Sequence, residues 1–82
     1  MLAKAYMHDD GMANDICVRF GRRLQQLRLK KGLKQIELSE HTGIARTYLS
    51  LVENGKTEIC LRRIEELAMA LDMKPWELMK GV

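Results

Sequence analysis

QIELSEHTGIARTYLSLVEN, residues 35–54, is the stretch of sequence that decides the fold. Its second half predicts a short helix, because Leu49 and Val52 are three residues apart and can share a buried face. Gly43 lies where the chain must bend, since glycine adopts the left-handed conformation that closes a helix at little cost. Small Ser39 allows two helices to cross closely beside this bend. The preceding helix is predicted to bury Leu33, Ile36 and Leu38 as its inner stripe.

The outward face of the second helix carries side chains suited to the edges of bases. With Leu49 and Val52 facing inward, a rotation of about 100° per residue turns Arg46, Thr47 and Ser50 outward. Arginine can form two hydrogen bonds with guanine, and the short hydroxyl side chains can contact neighbouring bases. Two helices with such readers on the second predict a DNA-binding helix-turn-helix, in which the N-terminal residues of the second helix meet the bases.

Three further helices complete the predicted fold, which is all-α because no run of residues alternates with strand period beside turn residues. The first helix is expected from about Asp15 to Lys31, with Asn14 or Asp15 as its cap and Gly32 after its end. The helix-turn-helix pair is expected over about 35–42 and 46–53, and the two remaining helices over about 61–71 and 75–80. The inner face of the fourth helix is predicted to comprise Leu61, Ile64, Leu67, Ala68 and Leu71. Residues 1–14 have no periodic face and are expected to form a flexible arm before a domain of residues 15–82.

From Phe20 to Met79 the chain resembles the Cro/C1-type (XRE-like) helix-turn-helix family, whose compact five-helix domains include the phage lambda repressor. The matching segments are RRLQQLRLKKGLKQIELSEHTGI, RTYLSLVENGK and LRRIEELAMALDM. RTYLS followed by VENGKTEI is also similar to the controller proteins of restriction-modification systems, which are dimeric regulators of about this length. The resemblance implies a sequence-specific transcriptional regulator of double-stranded DNA that acts by occupying an operator.

The resemblance also implies roles for particular residues. Gln35 is expected to bind phosphate at the start of the second helix, where Lys34 replaces a usual hydroxyl cap and adds a positive charge. Arg28 and Glu53 are expected to form a partly buried ion pair that holds the first helix to the end of the third. Further phosphate contacts are expected from Tyr48, Asn54 and Lys56.

Alternatives stay open at several of these positions. Arg46 could contact only phosphate or solvent, and Thr47 could serve the hydrogen bonding of its own helix. Tyr48 could pack partly in the core. Leu51 either touches a thymine methyl or covers part of a neighbouring helix. Thr42 is more polar than the residue that the family usually places there, which puts the packing at the turn in question.

The distribution of charge favours a polyanionic partner. The net charge is +3, and residues 16–36 contain seven basic residues and no acidic one. A basic face of this kind suits nucleic acid. The alternative is a solvated amphipathic helix, and the neighbouring helix-turn-helix pattern favours DNA.

The C-terminal end of the chain predicts a homodimer. A chain of 82 residues is close to the size, roughly 70 to 80 residues, below which one core supplies only ~3 to 5 kcal/mol. Its tail is unusually apolar, although Trp76 alone could cap the core. A two-fold dimer would space its recognition helices about 34 to 36 Å apart and would bind a pseudo-palindromic operator. The predicted interface residues are Met73, Trp76, Leu78 and Met79.

Other kinds of site are not indicated. Cys17 and Cys60 have neither zinc-ligand nor disulfide-scaffold spacing, and we expect buried or capping thiols. Residues 8–10, HDD, are expected to be solvated. His41 has no obvious catalytic partner, so an enzyme is not expected, nor is a cofactor, a metal or a small-molecule ligand. No run of about 18 apolar residues suggests a membrane segment, and we expect a cytoplasmic protein.

The sequence leaves two further questions open. Many antitoxins share this fold, so the alternative function is a protein-interaction module that holds a toxin. The true start of translation could be Met1, Met7 or Met12.

Overall fold

The computed structural model describes residues 15–82, which fold into five helices. In chain order these are α1 (Ile16–Lys30), α2 (Gln35–Thr42), α3 (Arg46–Glu53), α4 (Leu61–Ala70) and α5 (Pro75–Leu78). Residues 15–82 contain no strand, and the predicted all-α five-helix fold is confirmed. The proposed arm, the three candidate start residues and the HDD tract lie outside the described residues.

One apolar core holds the five helices together. Every helix contributes at least one buried side chain, and Ile44 adds another from the turn between α2 and α3. Removing such side chains from water is the main source of stability for a domain of this size. The core therefore fixes the position of α3 relative to all the other helices. Its members are Phe20, Leu24, Leu38, Ile44, Leu49, Val52, Ile64, Leu67, Ala68, Leu71 and Leu78.

Polar side chains close the helix ends that position α2 and α3. The Glu37 carboxylate accepts a hydrogen bond from the Lys34 backbone N–H at 2.7 Å, which caps α2 although Lys34 offers no cap of its own. The Thr42 hydroxyl donates to the Leu38 carbonyl at 2.8 Å and accepts from the Ile44 N–H at 3.1 Å. The polar residue at position 42 thus closes the turn instead of weakening it.

Gly21 allows α1 to cross the end of α3 at close range. It is a buried residue in the middle of α1, where glycine usually costs helix stability. A Cβ at this position would lie 2.3 Å from the Val52 carbonyl oxygen and 2.6 Å from that of Glu53. Only a residue without a Cβ fits this crossing without displacing backbone.

The C-terminal helix is attached to α1 by arginines as well as by apolar contact. Arg23 donates to the Glu77 carbonyl at 2.7 Å, and Arg19 donates to the Val82 carbonyl at 2.7 Å. Leu78 is fully buried in the core. The prediction that Leu78 lies in a dimer interface is therefore wrong, because this side chain is the apolar anchor of the short helix α5.

Two residues predicted to face inward are exposed instead. Ile36 lies two positions before Leu38, and about 200° of helical rotation separates them, so they cannot share a face. Leu61 begins α4 and is 82% exposed, because it lies at the edge of the stripe that Ile64 and Leu67 continue. Both side chains are available for contacts outside the core.

The cysteines and acidic residues form no metal or disulfide site in the part of the chain that the structure describes. Burial, aided by the nearby Asp15 carboxylate, raises the pKa of the Cys17 thiol, which keeps it protonated at neutral pH. Cys60 is exposed, and its side chain does not cap α4. Within residues 15–82, no helix has the length and apolar character needed to cross a membrane.

Candidate DNA-binding interface

The helices α2 and α3 form a helix-turn-helix. The turn begins at Gly43, which adopts the left-handed conformation with φ of 78°, and Ala45 precedes the first residue of α3. The Ser39 hydroxyl donates to the Ile44 carbonyl at 2.5 Å and ties α2 to the turn. Leu49 on the inner face of α3 is fully buried. The turn and the core together leave one face of α3 open to solvent.

The predicted base-reading residues lie at different depths on α3. Arg46 and Thr47, the first two residues of the helix, are exposed. Ser50 is only half-buried, and its backbone carbonyl accepts a hydrogen bond from the Asn54 side chain at 2.8 Å. Arg46 and Thr47 are therefore the two predicted readers that the fold presents most openly.

A buried ion pair locks the far end of α3 to α1. Arg28 Nε lies 2.6 Å from Glu53 Oε2, and Arg28 Nη2 donates to Glu53 Oε1 at 3.0 Å. Arg28 Nη1 also donates to the Leu33 carbonyl at 2.7 Å. The guanidinium thus has hydrogen-bond acceptors along both of its edges, which a charged group inside a core requires. The pair has the place and the partners that the resemblance implied.

Gln35 connects this ion pair to Arg46. Its amide Nε2 donates to Glu53 Oε1 at 3.0 Å, and its Oε1 accepts from Arg46 Nη1 at 3.4 Å. A carboxylate can only accept and a guanidinium can only donate, so the two neighbours fix which way the amide points. This chain of hydrogen bonds was not predicted from the sequence. The sequence feature that could have suggested it is that Gln35 and Arg46 are each the first residue of a helix in the same motif.

The other predicted phosphate-binding residues lie near the ends of α2 and α3. Lys34 precedes α2 and Lys56 follows α3, and both are exposed. The Tyr48 hydroxyl donates to the Glu58 carbonyl at 2.6 Å, which holds the loop after α3, and its ring packs partly against the core. Asn54 is exposed and caps the last turn of α3 through Ser50. Their contacts with phosphate remain predictions.

An apolar patch, the α4–α5 patch, contains the exposed side chains Leu61 on α4 and Trp76 on α5. The Trp76 side chain is 70% exposed, and the Lys74 ammonium lies 5.8 Å from the centre of its ring. Next to Trp76 is an open groove of about 520 Å³. Of the predicted interface residues, Trp76 faces solvent, whereas Met73 and Met79 are half-buried against the core. The groove is lined by Leu61, Arg62, Ile64, Glu65, Pro75, Trp76 and Met79.

These features define a class of protein: a five-helix domain with a helix-turn-helix whose second helix presents polar side chains to solvent. Comparison with known proteins supports this class of protein. The helix-turn-helix family matches residues 24–78, and the chain belongs to this family in its Cro/C1-type form. The relationship predicted from the sequence is thereby confirmed.

The relatives include controller proteins and a transcriptional regulator. Control protein C.BamHI of Bacillus amyloliquefaciens is 35% identical over 69 residues, which span 83% of this chain and 85% of that protein. The restriction-modification controller protein C.AhdI of Aeromonas hydrophila has a crystal structure that matches with a TM-score of 0.74 and 45% identity, over 76% of this chain and 94% of that one. SinR, a master regulator for biofilm formation solved in complex with DNA, matches with a TM-score of 0.69 and 34% identity, over 74% of this chain and 98% of that one.

Proposed function

We propose that the protein is a sequence-specific transcriptional regulator that binds a pseudo-palindromic operator as a homodimer. The observation that carries the proposal is the pair of exposed residues Arg46 and Thr47 at the start of α3, on a helix held rigidly by the core and by the Arg28–Glu53 pair. An α-helix such as α3 is about 10 to 12 Å in diameter with its side chains. It therefore fits into a major groove about 12 Å wide, with its N-terminal residues against the bases.

In the proposed complex, some side chains of the motif read bases and others hold the DNA backbone. Arg46 forks two hydrogen bonds to guanine O6 and N7. Gln35 restrains the guanidinium beforehand, so that less side-chain entropy is lost on binding. The exposed N-terminus of α2 and the charge of Lys34 lie against a phosphate. Because Glu53 holds Gln35, the ion pair in the core also positions the reading side chain.

The α4–α5 patch is the proposed interface with a second copy of the chain. Leu61 and Trp76 together expose a large apolar area on a chain of only 82 residues. Burying aromatic and aliphatic side chains of this kind is the usual driving force of homodimer formation. A two-fold axis through the patch would give two copies of α3 and two half-sites, and the doubled contact would supply the specificity that one half-site lacks.

The likeness to control proteins supports a role as a controller of restriction-modification genes. Such a protein acts where the DNA is, in the cytoplasm, by occupancy that blocks or recruits RNA polymerase. The same relatives favour a regulator over the antitoxin alternative. They also favour a DNA-binding protein over an enzyme, in keeping with the helical surface described above.

Selection of bound duplexes from random DNA tests the proposal. We expect a consensus of two inverted half-sites whose centres are about one helical turn, 10 to 10.5 base pairs, apart. Sedimentation equilibrium of the protein alone should give the mass of a dimer. Recovery of no consensus, or a mass above the dimer on purification together with a small partner protein, would contradict the regulator and favour the antitoxin.

A further inference from the structure

The direction in which α3 faces solvent can be read from its buried residues. Leu49, Val52 and Glu53 are the three buried residues of this helix. At about 100° per residue, the direction opposite to them passes about 10° from Thr47 and about 30° from Leu51. By the same count Ser50 lies about 70° and Arg46 about 110° away from this direction, so Arg46 reaches the open side through its position at the start of the helix and its long side chain. The side chain that follows Thr47 along the open face is therefore Leu51, not Ser50.

Leu51 is an exposed apolar side chain on this open face of α3. It is 45% exposed and is not one of the apolar residues that pack against the core. It lies four residues after Thr47, so the two side chains are about one helical turn apart on the same face. Nearly half of Leu51 thus stays open to solvent and to a partner of α3. An apolar side chain on this face is placed to contact the surface of the partner that α3 binds.

The major groove offers one apolar group at the base edges, the C5-methyl group of thymine. Arg46 and Leu51 are five positions apart in α3, which is about 7.5 Å along the helix axis and less than the roughly 12 Å width of the groove. Its branched, uncharged end can neither donate to nor accept from a base or a phosphate. The chemistry that it can recognise is a C5-methyl group on a pyrimidine.

We propose that Leu51 is a specificity-determining residue that reads the C5-methyl group of a thymine in each half-site. This inference rests on the proposed function and adds a base preference that Arg46 and Ser50 do not supply; Thr47 also carries a methyl group, and the Leu51→Ala variant separates its contribution from that of Leu51. Contact with the methyl group takes apolar surface of both partners out of water. Loss of one methyl contact, about 0.8 kcal/mol, corresponds to a change of about three- to fourfold in affinity.

The test uses uracil, which pairs like thymine and lacks only the methyl group. Selection from synthetic random DNA, which contains no methylated cytosine, first gives the consensus and shows which positions are thymine. Each thymine of one half-site is then replaced singly by uracil. We expect one position at which the replacement weakens binding of the original protein about three- to fourfold. The variant Leu51→Ala should bind the thymine and uracil duplexes equally well at that position.

Leu29→Ala is the matched control, because Leu29 is also an exposed leucine in a helix but lies on α1. This variant should keep the full difference between thymine and uracil. Circular dichroism of both variants checks that each is folded. The inference is overturned if no uracil replacement matters, or if Leu51→Ala weakens both duplexes equally and keeps the difference. Failure to obtain any consensus would instead overturn the proposed function itself.

Discussion

The substitution Glu53→Gln tests the buried connection between the core and the reading helix. The Glu53 side chain is 1% exposed and that of its partner Arg28 is 8% exposed. The carboxylate accepts two hydrogen bonds from Arg28 and one from Gln35. Glutamine has nearly the same shape but one acceptor oxygen and no charge, so at least one of these N–H groups would face another donor.

The expected cost is a large part of the stability of the domain. Removing one partner of a buried ion pair destabilises a protein by ~3 to 5 kcal/mol, because the remaining charge stays buried without compensation. At about 0.05 to 0.15 kcal/mol per residue, the total stability of a chain of this length is only about 4 to 12 kcal/mol. Glu53→Gln should therefore shift the urea midpoint strongly downward, measured by circular dichroism at a fixed protein concentration.

Two controls separate the buried pair from a general effect of lost charge. Glu66→Gln removes the acid of the half-exposed pair Arg63–Glu66 and should leave the midpoint almost unchanged. The double replacement Arg28→Met with Glu53→Leu removes both charges and should cost less than the sum of the two single changes. A cost below about 1 kcal/mol for Glu53→Gln would refute the reasoning, because it would mean that the pair is solvated.

Three further substitutions examine other parts of the account. Gly21→Ala should destabilise the domain by ~1 to 3 kcal/mol in urea unfolding, because its Cβ meets the Val52 carbonyl; an unchanged midpoint would contradict the close crossing. Asp72→Gly should raise stability by about 0.5 to 1 kcal/mol in the same assay, because Asp72 has a φ of 59° after α4, and a loss would show that its side chain matters more than this strain. Trp76→Ala should raise the dissociation constant of the dimer in sedimentation equilibrium and leave the monomer folded. The control Met69→Ala changes an exposed residue of α4 that does not line the groove and should have a smaller effect. Unchanged association of Trp76→Ala would exclude the α4–α5 patch as the interface.

The helices α1, α3 and α4 were predictable because they bury apolar residues with helical period, whereas α2 and α5 each bury one side chain. Leu49 and Val52 lie on such a stripe, and Gly43 marks the turn, so the motif could be read directly from residues 35–54. Arg28 and Glu53 are 25 positions apart, and no local pattern links them. Their pairing was available only through the resemblance to a family.

The errors of prediction arose where the apolar character of a residue suggested its environment, whereas its angular position on the helix determined whether it was buried. Ile36 and Leu61 are apolar and lie near inward-facing residues, yet the packed helices leave them outside. Leu78 shows the converse, since it lies in an apolar tail but fills the core. The close crossing at Gly21 and the bridge through Gln35 depend on how separate helices meet, which periodicity along one helix does not contain.

In the proposed mode of binding, α3 reads bases while residues around it contact the DNA backbone. The direct measurement compares Arg46→Ala with Lys56→Ala on the selected operator, on variants of it with one base pair changed, and over a range of salt concentrations. Arg46→Ala should weaken operator binding by ~1 to 3 kcal/mol and remove the preference for guanine at one position. Lys56→Ala should weaken binding to all sequences alike and lower the salt slope by about 1. If Arg46→Ala weakens every sequence equally and leaves all base preferences intact, α3 does not read DNA through its first residue and the account is wrong.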